Sequence, residues 1–277
     1  MQTTAELHLT FIGAGNMASA MIQGLLKTGV NASQISVADP MPAQRDKMSQ
    51  LGVATYSDNN KAIEDAQVIV LAVKPQVAAK VMQSISTIQP DQLLVSIAAG
   101  INLASLTAWT SAEQAIVRCM PNTPALLGAG ASGLYANNRC DSEQRKFAEQ
   151  ILLSTGTVLW VARESDLDAV TAVSGSGPAY FFLLMEAMIE AGVELGLDLQ
   201  SATQLTLQTA YGAALMAQKS KESPAVLRAN VTSPGGTTAA ALDVMLEASL
   251  PTTIKTALRA AEQRAVVMAQ EFGDNPS

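Results

Sequence analysis

Leu7-His8-Leu9-Thr10-Phe11-Ile12-Gly13-Ala14-Gly15-Asn16-Met17-Ala18 decides how the chain folds. Leu7 to Ile12 has the make-up of a buried strand. Met17, Met21, Leu25 and Leu26 then recur on one face of a helix that Gly29 closes. A GxGxxA turn placed after a strand and before a helix is the setting in which this pattern binds a dinucleotide. Gly13 permits the tight turn, Gly15 lets a pyrophosphate approach the backbone, and Ala18 allows the helix to lie close on the sheet. The free N–H groups and the positive end of the helix dipole favour the anion.

Further apolar runs follow at 35–38, 67–73, 93–97 and 115–119, separated by helical or loop stretches at 41–50, 75–88 and 102–109. That alternation is βαβ and predicts an α/β fold with a doubly wound parallel sheet. Short runs at 133–135 and 157–161, with amphipathic 142–153 between them, extend the sheet and end a Rossmann-type dinucleotide-binding domain at 1–162. Beyond Arg163 strand signals vanish, and candidate helices at 165–173, 178–195, 200–218, 223–229, 237–247 and 252–271 predict an all-helical substrate-binding and dimerisation domain at 163–277. Ala179 to Met185 is apolar all the way round its helix, which solvent does not tolerate. It is either a central helix of a monomer or, as expected for so small a helical domain, is wrapped by a second subunit.

Composition narrows the function. The chain has 277 residues, a net charge of −7 and basic residues scattered without a stripe, which argues against nucleic acid as a partner. One histidine, His8, and two cysteines without a CxxC, Cys119 and Cys140, supply no metal set. The N-terminal residues lack a basic stretch before an apolar one, and polar residues or glycines interrupt every long apolar run, so no membrane association and a cytoplasmic location are expected.

Several loops carry candidate chemistry. Asp39 ends the second strand about twenty residues beyond the glycine turn, the place of an acid that binds the ribose of NADH. It is equally a cap for the segment from Met41, while Arg45, Asn59, Asn60 and Lys61 offer donors to a 2′-phosphate. Ala72-Val73-Lys74-Pro75 and Cys119-Met120-Pro121-Asn122-Thr123-Pro124 follow strands at the edge where ligands of such sheets bind. Ser174-Gly175-Ser176-Gly177-Pro178 opens the apolar helix, as a hinge or as part of the site. Late in the chain, Thr232-Ser233-Pro234-Gly235-Gly236-Thr237-Thr238 leads into a helix and forms a second anion seat, sized for a small carboxylate. A carbonyl reductase needs an acid to protonate the developing alkoxide, most often histidine, and His8 stands before the glycine turn where it cannot serve. No early lysine follows the SGSGP segment, as a β-hydroxyacid dehydrogenase would want. A cyclic imine needs neither group, because its nitrogen can arrive protonated and be held 3–3.5 Å from a nicotinamide.

These residues resemble the pyrroline-5-carboxylate reductases along the whole chain. The segments that carry the likeness are Phe11 to Met17, Leu71 to Pro75, Ser96-Ile97-Ala98-Ala99-Gly100, Arg118 to Pro124, Ser174 to Tyr180 and Ser233 to Thr238. The resemblance implies contacts from Asn16, Met17, Asn60, Ala72, Lys74 and Asn122 to a reduced nicotinamide cofactor, with Asn60 at the adenosine ribose or its 2′-phosphate, which favours NADPH while leaving NADH possible. It places the substrate carboxylate on the Ser233–Thr238 loop (Ser233, Gly235, Gly236 and Thr237), the ring nitrogen near Val231 and Thr238, and Glu222 close by. Thr238 is the candidate for proton handling, with a helix-capping hydroxyl as the alternative. Family members pair their helical domains into interlocked dimers, and many assemble five of them. Glu222-Ser223-Pro224 stands where the family often has Glu-His-Pro, and Arg228-Ala229 where Lys-Asp is usual.

The expected activity is reduction of 1-pyrroline-5-carboxylate to L-proline by hydride transfer from NAD(P)H in a cleft between the first domain and a helical dimer. A related cyclic-imine or β-hydroxyacid reductase and a dinucleotide sensor without turnover are the rivals.

Overall fold

Residues 7–273 are described by the computed structural model; residues 1–6 and 274–277, the outer ends of the spans 1–162 and 163–277, lie outside the described residues. The chain alternates β1 (Leu9–Ile12), α1 (Asn16–Lys27), β2 (Ile35–Ala38), α2 (Pro42–Ser49), β3 (Ala54–Tyr56), α3 (Asn59–Ile63), β4 (Val68–Leu71), α4 (Pro75–Gln83), β5 (Leu93–Ser96), α5 (Leu103–Trp109) and β6 (Ile116–Met120). β7 (Gly130–Ala136), α6 (Ser142–Leu153) and β8 (Gly156–Trp160) complete a single sheet of eight strands in the order β3-β2-β1-β4-β5-β6-β7-β8. The first six are parallel in the 3-2-1-4-5-6 order of a dinucleotide-binding fold, with its reversal between β1 and β4. β7 runs antiparallel to β6 and pairs in parallel with β8.

Helices cover both faces of this sheet, and the strands show why. β1, β4 and β5 are buried at every position, as strands sandwiched between helices must be. Alternate residues then serve opposite layers. Phe11, Val37, Val70, Val95 and Val117 pack against Met21, Ile22 and Leu25 of α1 and Ile151 and Leu152 of α6. Ile12, Ile69, Leu71, Leu94 and Ile116 pack against Ile63 of α3, Ala78 and Met82 of α4 and Leu106 of α5. Local signals set the helix starts: Pro42 and Pro75 occupy first turns, Asn102 caps α5, and Asp141 with Gln144 forms a capping box on α6. β3 and α3 lack an apolar run; Ala54 is exposed and Thr55 and Tyr56 half-buried, so neither element announces itself in the sequence.

Two compact units divide between Ser176 and Gly177, with the described residues from Ala260 onward returning to the first. α7 (Asp166–Val170) and the π turn Thr171–Gly175 belong to the sheet unit. Gly133 of β7 leaves the space Val170 fills, a β-carbon there falling 2.8 Å from the valine side chain. Arg118 of β6 pairs with Glu164 at 2.5 Å, and the same carboxylate oxygen accepts the Leu103 N–H at 2.6 Å.

The second unit is helical throughout: α8 (Gly177–Glu194), α9 (Leu199–Lys219), α10 (Pro224–Asn230), α11 (Thr237–Glu247) and the first part of α12 (Leu250–Gly273). Gly192 of α8 lets α9 approach until a β-carbon would sit 3.1 Å from that of Ala202. α8 leaves Phe181, Phe182 and Leu183 more than 60 % exposed. By length and composition Asp166–Glu194 would also suffice to cross a membrane.

Ile69 lies fully buried on central β4. Ile69→Ala should lower the unfolding free energy by about 2–5 kcal/mol, read from urea titrations of the sheet unit's transition; a loss below about 1 kcal/mol would contradict the packing described.

Candidate functional site

The first cluster forms at the carboxyl ends of β1, β2 and β4. Gly13 turns with φ +100°, and a β-carbon on it would lie 2.6 Å from the carbonyl oxygen of Ala72 and 2.9 Å from the side chain of Val73. Only glycine fits. The Gly13 N–H donates to Ala38 O at 2.7 Å and the Ala72 N–H to Ile12 O at 2.8 Å, so the turn is tied to both neighbouring strands. Gly15 then starts α1 as a cap without a side-chain bond, Asn16 is exposed beside it, and Met17 is half-buried. A β-carbon on Gly15 would meet nothing within 4 Å, so the space in front of the free α1 N–H groups is open. Ala18 is fully buried under the sheet. A pyrophosphate fits this cradle.

Asp39 lies at the end of β2, but its carboxylate faces the backbone. One oxygen accepts the Ala14 N–H and the other the Met41 N–H, each at 2.9 Å. Asp39 thus closes an Asx turn onto Met41 just ahead of α2, whose own N-cap is Met41 without a side-chain bond, and braces the glycine turn as well. Arg45 reaches back from α2 to donate to the carbonyl oxygens of Asp39 and Pro40 at 2.7 and 2.9 Å. Asn60, expected at the adenosine ribose, has its amide committed elsewhere: its carbonyl oxygen accepts the Ser86 N–H at 2.7 Å and its NH2 group donates to Ser84 O at 3.1 Å. That staple between α3 and the end of α4 leaves the asparagine one donor to offer.

Lys74 caps α4 with its side chain exposed, and Pro75 takes the first helical position. Met120 ends β6 where its methyl group approaches Gly175 of the π turn; a β-carbon on that glycine would stand 2.5 Å away. Asn122 is buried and doubly engaged, accepting the Ala131 N–H at 2.8 Å and donating to Ser174 O at 3.0 Å. It locks the loop after β6 to the π turn, whose defining bond runs from the Ser176 N–H to Thr171 O at 2.8 Å. Ser174 and Gly175 thus lie in a fixed turn packed on Met120, and Gly177 opens α8.

The second cluster lies in the helical unit. Ser233-Pro234-Gly235-Gly236 forms a turn closed by the Gly236 N–H to Ser233 O at 3.0 Å, with Gly235 at φ +70°, the geometry that proline then glycine favour. Gly236 caps α11 without a side chain, and the first helical bond comes only at Ala240, from its N–H to Gly236 O at 3.2 Å. The N–H groups of Thr237, Thr238 and Ala239 thus open α11 in search of acceptors. The Thr238 hydroxyl makes no hydrogen bond among the described residues and caps nothing. Val231 is 61 % exposed just before the turn. Glu222 is exposed and accepts from the Asn230 side chain at 3.0 Å, across α10.

Chemically, the two clusters offer main-chain donors and hydroxyls rather than strong nucleophiles. Burial pushes the Cys119 thiol well up, and burial likewise raises Cys140, to about 11. Neither presents a thiolate.

Comparison with known proteins matches residues 8–100 to the family model NADP oxidoreductase coenzyme F420-dependent and residues 164–268 to pyrroline-5-carboxylate reductase dimerisation. A Pseudomonas aeruginosa pyrroline-5-carboxylate reductase is 51 % identical over 96 % of this chain and 98 % of its own. A solved pyrroline-5-carboxylate reductase from Coxiella burnetii superposes with a TM-score of 0.91 at 40 % identity, over 96 % of this chain and 99 % of its own. The Plasmodium falciparum pyrroline carboxylate reductase, solved with NADP bound, gives 0.86 at 32 % identity over 96 % and 99 %. With identity of this extent along nearly the whole length, the chain belongs to the pyrroline-5-carboxylate reductase family.

Proposed function

We propose that the protein reduces 1-pyrroline-5-carboxylate to L-proline, the last step of proline biosynthesis, using NADPH or NADH. Family membership supplies the reaction; the observation that carries the assignment of residues is the start of α11, where three main-chain N–H groups and the Thr238 hydroxyl stand without partners among the described residues, behind a turn whose left-handed step falls on Gly235. These N–H groups suit the substrate carboxylate, favoured further by the positive end of the helix dipole.

In this reading residues 1–162 hold the cofactor and residues 163–277 the substrate. The reduced nicotinamide, when bound, supplies the hydride that adds to the imine carbon. Gly13, Gly15, Asn16, Met17 and Ala18 seat the pyrophosphate, and Ala72, Val73, Lys74, Pro75, Met120 and Asn122 shape the edge of the sheet beside it. Anchoring the ring by its carboxylate fixes the carbon within van der Waals reach of the donor and spends binding energy on orientation. As the carbon–nitrogen double bond becomes single, the nitrogen must carry a proton. Thr238 holds that nitrogen by its hydroxyl and, if the imine arrives neutral, relays to it a proton that the hydroxyl regains from solvent, while Val231 and Glu222 border the ring.

Cover for α8 is assigned to a second copy of the chain: the dimerisation model spans it, and its exposed phenylalanines and leucines form an apolar face too large to leave in water. The reading extends to five such dimers per particle, a cytoplasmic location, and neither nucleic acid nor membrane as partner.

Purified protein should oxidise NADPH when given pyrroline-5-carboxylate and not otherwise; cofactor binding without turnover would defeat the assignment. Gly15→Val should weaken cofactor binding roughly 100-fold, the scale of one or two charge-assisted bonds, with thermal stability kept because the site is open and its φ of −70° suits any residue. Unchanged affinity in a fluorescence titration would place the pyrophosphate elsewhere. Thr238→Ala should keep cofactor affinity and lower kcat about 100-fold or more if the hydroxyl handles the proton; a change in KM alone would leave it a positioning group.

A further inference from the structure

We propose that Arg45 seats the 2′-phosphate on the adenosine of the cofactor, and is the residue by which this chain selects NADPH over NADH. The proposal rests on the reading of the Gly13–Ala18 turn as the pyrophosphate site, and it deepens that reading at the other end of the dinucleotide.

The end of β2 is where sheets of this topology distinguish the two cofactors: an acid there pairs with the ribose hydroxyls of NADH, and an arginine accommodates a 2′-phosphate. Both residue types are present here, so the sequence leaves the matter open. The structure separates their roles. Asp39 has each carboxylate oxygen on a main-chain donor, Ala14 on one side and Met41 on the other. Its orientation is set by the two turns it braces, and its charge is partly offset by their N–H groups. Arg45 occupies the outer position. One terminal nitrogen, Nη1, is anchored by the Asp39 and Pro40 carbonyl oxygens, which fixes the guanidinium directly over the end of β2. Its Nε and Nη2 donors carry no bond among the described residues, and the side chain is half-exposed.

An anchored guanidinium with free donors on its remaining edge is prepared for a phosphate: the fork geometry matches two phosphate oxygens, and the rotamer is already paid for by the carbonyl contacts. Asn60 is a weaker candidate for the same task, since its amide is tied to Ser84 and Ser86 and keeps a single uncharged donor. Nothing in this assignment touches the nicotinamide end, so selection between cofactors is separated in space from hydride transfer.

The test is the selectivity ratio, kcat/KM with NADPH divided by kcat/KM with NADH, measured with pyrroline-5-carboxylate for the wild type, Arg45→Ala and Arg45→Lys. Arg45→Ala should lower the ratio about 10- to 100-fold, as expected for loss of charge-assisted bonds to a phosphate, and Arg45→Lys should restore part of it as a point charge. A ratio within twofold of the wild type in Arg45→Ala would overturn the proposal. Equilibrium binding of 2′,5′-ADP and 5′-AMP keeps the outcome independent of turnover: the variant should lose affinity for the first far more than for the second, and equal losses would overturn the assignment. A wild-type protein that binds 2′,5′-ADP through Arg45 yet fails to reduce the imine would defeat the proposed reaction and leave this site standing.

Discussion

No β-carbon fits where β1 ends. The Gly13 turn lies so close to the Ala72 carbonyl that any side chain would collide with it, and that contact draws the ends of β1 and β4 together at the point where strand order reverses. Three bonds then fasten the same corner: Gly13 to Ala38, Ala72 to Ile12, and Ala14 to the Asp39 carboxylate. The result is a rigid rim that points the first N–H groups of α1 into open space. The shape of this rim follows from a steric constraint met by one residue type.

The same physics recurs far along the chain. Gly235 supplies the left-handed step and Gly236 the uncapped helix start, and α11 presents unpaired N–H groups as α1 does. A reductase of a carboxylated imine needs no buried acid or thiolate for this. It needs two oriented anion seats, a hydroxyl at the nitrogen and exclusion of water around the reacting carbon. The absence of any histidine beyond His8 fits such chemistry, since the proton can enter with the substrate.

Most of this organisation was legible in the sequence because it rests on local patterns. The apolar runs at 35–38 and 93–97 sit on strands Ile35–Ala38 and Leu93–Ser96, and the amphipathic stretch 142–153 is α6, residue for residue. Glycine turns marked the uncapped starts of both α1 and α11. What escaped was set by tertiary context: β3 is three residues long, lies at the sheet edge paired with β2, and only partly buries its side chains. The run 165–173 read as a single helix, whereas the structure breaks it into α7 and a π turn fixed by Asn122 and Met120 from the sheet. Asp39 and Asn60 show the limit for site residues. Their positions were readable, but the direction of each side chain depends on N–H and carbonyl groups many residues away, which spacing alone does not reveal.

The central claim is that main-chain amides at the start of α11 hold the carboxylate of the ring. A crystal structure of the protein with oxidised NADP and L-proline tests it directly. The account predicts proline carboxylate oxygens within about 2.7–3.2 Å of the Thr237 to Ala239 nitrogens, with the ring nitrogen at the Thr238 hydroxyl. Proline bound elsewhere, with those nitrogens facing only water or protein, would contradict it.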